Sequence, residues 1–196
     1  MTTKRAFIVH GWDGYPEEGW FPWLKKELEI RGFEVSIPQL PDAAHPHIDT
    51  WVPALAHAVG TPDEETYFIG HSMGCQTIIR YLETLPKGVS VGGAVFVAGF
   101  LLPITNLERD ADSVAIDREW STAPLDVKKA ASHLSNSVAL FSTNDPYVSL
   151  ENRKDFKKKL KSEVITLEGR GHFSGSDGAT QLPEVLDMLI WINQAV

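Results

Sequence analysis

Three apolar runs in this chain do not alternate with polar residues: FIV (Phe7 to Val9), YFI (Tyr67 to Ile69) and AVFVA (Ala94 to Ala98). A strand with one wet face alternates. A continuous run belongs to a strand buried on both faces, the condition of a parallel sheet covered by helices. The runs sit in six strand-like segments: RAFIVH (Arg5 to His10), FEVSIP (Phe33 to Pro38), TYFIG (Thr66 to Gly70), VGGAVFVAGF (Val91 to Phe100), NSVALFS (Asn136 to Ser142) and EVITLE (Glu163 to Glu168). Helix-length segments separate or follow them: PWLKKELEIRG (Pro22 to Gly32), IDTWVPALAHAV (Ile48 to Val59), MGCQTIIRYLETL (Met73 to Leu85), a shorter one near Leu125 to Leu134, SLENRKDFKKKL (Ser149 to Leu160) and LPEVLDMLIWINQAV (Leu182 to Val196). Strands alternating with helices predict an α/β fold built on about six parallel strands with helices on both faces.

Local chemistry marks several boundaries. Pro22 opens a helix and Gly32 lies just past its end. Asp49 or Thr50 is the expected N-cap of the second helix, with Pro53 in its first turn. Ser149 and Asn152 form a weak capping box. The stretch from Leu102 to Asp126 shows no clear element; it is polar and follows a strand's carboxyl end, so it reads as a short lid or pocket wall.

The 196 residues fit one domain, 1–196, and 43% hydrophobic against 22% charged residues is ordinary globular composition. A net charge of -8 argues against nucleic-acid partners. The one lysine-rich run, KDFKKKLK (Lys154 to Lys161), reads as the wet face of a helix with Phe156 and Leu160 behind it. A single cysteine, Cys75, excludes an internal disulfide and fits a reducing compartment. No secretory h-region precedes the first strand and no run of apolar residues is long enough to cross a membrane, so a cytoplasmic protein is expected.

The chemistry concentrates at Gly70-His71-Ser72-Met73-Gly74, a G-x-S-x-G placed where a strand ends and a helix begins. A serine held at so sharp a turn needs glycine two residues to either side, because side chains there would strike the adjoining strand and helix. Its hydroxyl then projects at the carboxyl end of the sheet, where open α/β folds bind ligands. A serine hydroxyl is a poor nucleophile without a base and an orienting acid. Asp145 follows the strand NSVALFS in the turn TNDPYV, and His172 follows EVITLE in GRGHFSG, giving the chain order Ser, Asp, His. Asp177 is the rival acid, though its place beyond the histidine reads better as a turn or helix-entry residue. The duller readings are a turn cap for Asp145 and a surface loop for His172.

Of the remaining histidines, His71 is the variable position of the motif and points away from the serine or into the pocket wall, and His10 ends the first strand. His45 and His47 flank Pro46, but no cysteine or acidic cluster at ligand spacing accompanies them, so no metal site is expected. His57 and His133 read as surface or half-buried helix residues. An oxyanion hole requires two N–H donors, each worth about 3 to 4 kcal/mol of transition-state stabilisation. The expected donors are the backbone N–H of Met73, opening its helix, and that of Trp12 in the HGWDG loop, where Gly11 makes the turn.

With these residues in place the sequence resembles an α/β-hydrolase, and more narrowly the small, nearly cap-less serine hydrolases related to bacterial YdeN and to retinoblastoma-binding protein nine. The resemblance rests on the first strand running into HGWDG, on GHSMG, on the Asp-Pro acid loop and on GRGHF, and it spans essentially the whole chain. It implies a six-stranded parallel core and hydrolase activity without a cofactor. The chain has no L-x-C-x-E motif, so a retinoblastoma-binding role does not follow from the resemblance. The expected activity is hydrolysis of small acyl substrates, carboxylic esters first, with thioesters or amides open. The expected pocket residues are Trp12, His71, Phe100, Leu101, Trp120 and Phe173. Two alternatives stay open: acyl transfer or perhydrolysis by the same residues, and a hydrolase fold serving as a protein-interaction or ligand-sensing module.

Overall fold

Each strand pair runs parallel, and the pairing order is set by one reversal of direction. The computed structural model describes residues 3–106 and 110–194. The chain lays down β1 (Lys4–Val9), steps outward to β2 (Phe33–Ser36), and returns across β1 to add β3 (Thr66–His71), β4 (Gly93–Val97), β5 (Ser137–Ser142) and β6 (Glu163–Leu167). The resulting order is β2-β1-β3-β4-β5-β6. β3, β4 and β5 are buried along their whole length, whereas β6, at an edge, is mostly half-exposed. The unbroken apolar runs thus belong to interior strands.

Alternate residues of the strands feed two cores. On one face, Ile8, Tyr67, Ile69 and Val95 meet α1 (Phe21–Ile30) and α7 (Pro183–Gln194) through Phe21, Leu24, Leu189 and Ile192. On the other, Phe7, Val9, Phe68 and Phe96 meet α2 (Ile48–Val59) and α3 (Met73–Thr84) through Trp51, Leu55, Ile78 and Ile79. α1 leaves β1 toward one face and α3 leaves β3 toward the other. The loops after two neighbouring strands therefore diverge and open a crevice between them.

Several local expectations are revised. The polar stretch 102–126 contains a helix, α4 (Ala111–Thr122), capped by Asp110, whose side chain accepts from the Ser113 N–H; residues 107–109 of the stretch lie outside the described residues. Its periodicity is hard to read because only Ile116 and Trp120 are buried. The short helix after it is α5 (Val127–Ala131). The N-cap of α2 is His47 rather than Asp49 or Thr50, and Glu119 of α4 accepts from its Ile48 N–H at 2.8 Å. A cap supplied from a distant element leaves no mark in the local sequence.

The segment 149–160 is a short helix, α6 (Asn152–Asp155), that widens into a π-helical turn, Phe156–Leu160. Phe156 and Leu160 are buried and Lys157, Lys158 and Lys159 are exposed, as their pattern requires. The expected capping box is absent, because Asn152 is itself buried and accepts from the N–H groups of Leu101 (2.7 Å) and Leu102 (3.1 Å). The last helix is described over Pro183–Gln194, and residues 195–196 of the expected helix lie outside the described residues. Among the described residues no helix is long and apolar enough to cross a membrane.

Candidate active site

Ser72 stands between β3 and α3 with φ 52 and ψ -119, a conformation that non-glycine residues rarely adopt and that costs of order 1–3 kcal/mol. The surrounding packing enforces it. A Cβ on Gly70 would lie 2.8 Å from the Cys75 backbone, and one on Gly74 would lie 2.2 Å from the carbonyl oxygen of Val9. One on Gly11 would come within 3.1 Å of the Ser72 Cβ, so the first loop passes directly against the serine. The Ser72 N–H donates to Val97 O at 2.9 Å, which pins the turn to β4. Cys75, behind the turn, is buried, and burial pushes its thiol well above the ordinary range.

His172 and Asp145 meet across two loops. The His172 Nδ1 lies 2.8 Å from Asp145 Oδ2, and the two side chains are 12% and 2% exposed. Asp145 Oδ1 accepts from the N–H groups of Tyr147 (2.9 Å) and Val148 (3.0 Å), so the turn-capping and ring-holding readings are both satisfied, one by each oxygen. The two loops are also tied to each other. Asn144 Oδ1 accepts from Gly171 N–H at 2.8 Å, and Ser142 Oγ accepts from Arg170 N–H at 2.9 Å. Asp177 does not reach the His172 ring. Its Oδ2 accepts from the backbone N–H of His172 (2.9 Å) and of Ser174 (3.0 Å), closing a capping box over the turn Gly175–Asp177. Although partial burial opposes it, bonds from Ser174 and from the His172 N–H hold its carboxyl below the ordinary value.

A cavity of about 660 Å³ opens among these loops, lined by Ser72, His172, Gly11, Trp12, His71 and Met73 among others. Asp145 sits behind His172 and does not line it. Neither the N–H of Trp12 nor that of Met73 has a backbone acceptor among the described residues. Met73 opens α3, and the first N–H groups of a helix have no intrahelical partner, so it is a donor with positive potential behind it. The first loop is braced by His10, which is fully buried. Its Nδ1 donates to Gly11 O at 2.8 Å and its Nε2 accepts from Leu40 N–H at 3.0 Å. Burial lowers its pKa, opposed by the Gly11 carbonyl, consistent with a neutral ring.

Trp12 and His71 line the cavity, but four other expected pocket residues do not. Phe173 follows His172 with φ 57, which turns its ring away from the cavity into the α1/α7 core, where it is fully buried. Phe100 lies two residues after Ala98, at φ 48, and packs into the opposite core. Trp120 is buried against Trp51, with its indole N–H on Pro46 O at 2.9 Å. Leu101 is half-buried at the edge of that same core. The 102–126 stretch reaches the cavity instead through Ile104, Asn106 and Ser113.

Sequence reasoning passed over Tyr147, Tyr15 and Glu18, all of which line the cavity. Burial pushes the Glu18 carboxyl above its ordinary pKa, opposed by His172 and by the Tyr15 backbone. Its place in the HGWDG loop's continuation was the only available signal. His45 and His47 pair with Asp42 and Glu119, and no cluster of three or more metal-ligating side chains exists among the described residues. His133 is more buried than expected, at 3% exposure, with its Nδ1 on Val89 O.

Known proteins share both this arrangement of elements and the sequence behind it. The chain is 30% identical over 187 residues to YdeN of Bacillus subtilis, covering 95% of each chain. It is 26% identical over 191 residues to the serine hydrolase RBBP9 of Rattus norvegicus, covering 96% of this chain and 97% of that one. The crystal structure of the B. subtilis ydeN gene product superposes with a TM-score of 0.88 at 29% identity, covering 97% and 98% of the two chains. Est1E of Butyrivibrio proteoclasticus, at 14% identity and a TM-score of 0.70 over 97% and 88%, shares the fold. The single-domain α/β-hydrolase fold follows from these likenesses and the six-stranded parallel sheet. The serine hydrolase model matches residues 6–191, and the chain belongs to the serine hydrolase family.

Proposed function

We propose that the protein hydrolyses small acyl substrates, carboxylic esters first among them, with Ser72 as nucleophile, His172 as general base and Asp145 as its orienting acid. The observation that carries this reading is the 2.8 Å contact between His172 Nδ1 and Asp145 Oδ2, in a structure where His172 and the strained Ser72 line one cavity. With Nδ1 bonded to a carboxylate, the imidazole holds its proton there and offers Nε2 as the base. Nε2 takes the Ser72 proton as Oγ attacks the acyl carbonyl. The N–H groups of Met73 and Trp12 hold the oxyanion. His172 returns the proton to the departing alcohol, leaving an acyl-enzyme. It then draws a proton from water, whose oxygen attacks the acyl carbon and releases the acid with Ser72 restored. No step in this sequence requires a cofactor.

The cavity walls favour modest, partly aromatic substrates. Trp12, Tyr15 and Tyr147 supply aromatic faces, and the core aromatics Phe100, Trp120 and Phe173 are buried and do not line the cavity. The testing experiment is fluorophosphonate labelling with peptide mapping, on the wild type and on Ser72→Ala. Labelling at Ser72 that vanishes in the variant is the expected result. A folded wild type that does not label would overturn the reading and favour an interaction or ligand-sensing role.

A further inference from the structure

The loop carrying His172 is held by more than its bond to Asp145. His71, the residue immediately before Ser72, is 4% exposed, and its Nε2 lies 2.8 Å from the backbone carbonyl oxygen of His172. A carbonyl can only accept, so Nε2 carries the proton. The two imidazole rings lie beside one another, with centroids 4.9 Å apart. Trp20 repeats the device one residue on, its indole N–H donating to Phe173 O at 3.0 Å, and the rings of Trp20 and Phe21 stand edge-on around His71.

We propose that His71 is a positioning residue for the general base: its Nε2–H fixes the His172 carbonyl, coupling the chain segment that bears Ser72 to the loop that bears His172. The proposal rests on the reading of His172 as the base. Its physical content is registry. Ser72 and His172 arrive from strands separated by two others in the sheet, on loops that could drift independently, and misplacement of a catalytic group by about 1 Å costs about a hundredfold in rate. A direct bond from the residue before the nucleophile to the backbone of the base removes that freedom at its source. Burial lowers the His71 pKa to about 3, with His172 adding to the shift, so the donor is a neutral ring across the range in which a histidine base works.

The test is a matched pair. His71→Gln and His71→Met have side chains of similar length and shape, and only glutamine keeps an N–H donor. With a chromogenic short-chain ester, His71→Met is expected to lose about 10- to 100-fold in kcat with KM within about threefold of wild type. His71→Gln is expected to recover most of that loss. Thermal melts establish that each variant is folded. If His71→Met does not fold, His71→Phe, which fills the space without a donor, is compared with His71→Gln in the same way. Equal kcat in the donor and donor-less variants, whether both high or both low, would overturn the proposal. Ser72→Ala and His172→Ala run in the same assay separate the two claims. Activity surviving in either removes the underlying reading, while loss in both with Met equal to Gln removes only the role of His71.

Discussion

His172 Nδ1 and Asp145 Oδ2 are 2.8 Å apart, and the carboxylate oxygen not bound to the ring accepts two backbone N–H groups. Asp145→Asn keeps the turn's shape but offers the imidazole an amide in place of a carboxylate. The expected outcome is a kcat loss of about 10⁴-fold, because the wrong tautomer becomes favoured. Asp177→Asn, which bonds the backbone of the same loop and the Ser174 hydroxyl but not the His172 ring, is expected to lose far less. Steady-state kinetics on the two variants decide between the carboxylates, and a larger loss in Asp177→Asn would reverse the assignment.

Gly74→Ala sets helix propensity against packing. Alanine gains about 1 kcal/mol over glycine inside a helix. Its Cβ would lie 2.2 Å from Val9 O and 2.5 Å from His10 O, both backbone atoms that cannot rotate away. Packing wins, and urea unfolding is expected to show a loss of about 3 kcal/mol. Gly88→Ala, at φ 91 with nothing within 4 Å, is expected to cost only about 1 kcal/mol of backbone strain.

The buried histidines set an acid limit on stability. His71 titrates near 3 when folded, against 6.5 as the ordinary value, and burial lowers His10 in the same direction. Between those pH values the unfolded chain binds protons that the folded chain does not, so stability rises with pH through the window. Lowering the pH from about 6.5 toward 3 is expected to cost about 1.4 kcal/mol per pH unit for His71, with His10 adding in the same direction, and nothing above about pH 7.5. Denaturant midpoints from pH 7 to pH 4 check the slope, which His71→Gln is expected to reduce.

Arg80, 6% exposed, donates to Trp120 O, Ala123 O and Pro124 O and so ties the C-terminal end of α4 to α3. No carboxylate within 4 Å accompanies it among the described residues. Arg80→Met strands these carbonyls and is expected to cost about 3 kcal/mol in urea unfolding. Arg80→Lys is expected to rescue little, because one ammonium cannot span three carbonyls.

Chain-length preference tests the cavity's shape. With Phe100, Trp120 and Phe173 committed to the cores, p-nitrophenyl acetate and butyrate are expected to turn over at least tenfold faster, in kcat/KM, than the dodecanoate. A preference for the dodecanoate would mean that a longer apolar channel opens beside the 102–126 segment.

The strands and most helices were legible because their signals are local. A run such as AVFVA states its own burial, and Ile48 to Val59 was bounded correctly by its periodicity. α4 was not legible, since two buried residues in twelve leave no periodic stripe and its identity depends on what Arg80 and Glu119 bind elsewhere. Asn144 was equally silent, because it acts on the backbone of a loop whose approach only the fold creates, whereas Asp177 sits at the helix entry its local sequence suggested.

The sequence by itself determined the parallel sheet, the strained turn at Ser72, and the loops that deliver Asp145 and His172, because periodicity, glycine spacing and turn chemistry act over a few residues. Tertiary structure alone decided which side chains face the cavity. Phe173 sits next to His172 in the chain and points the opposite way, since a positive φ rotates it into the core, while His71 and Trp20 converge on that loop from positions roughly 100 and 150 residues distant in sequence. Direction at a loop is set by the backbone angle and by whatever packs behind it, and neither is carried by the residue's own identity.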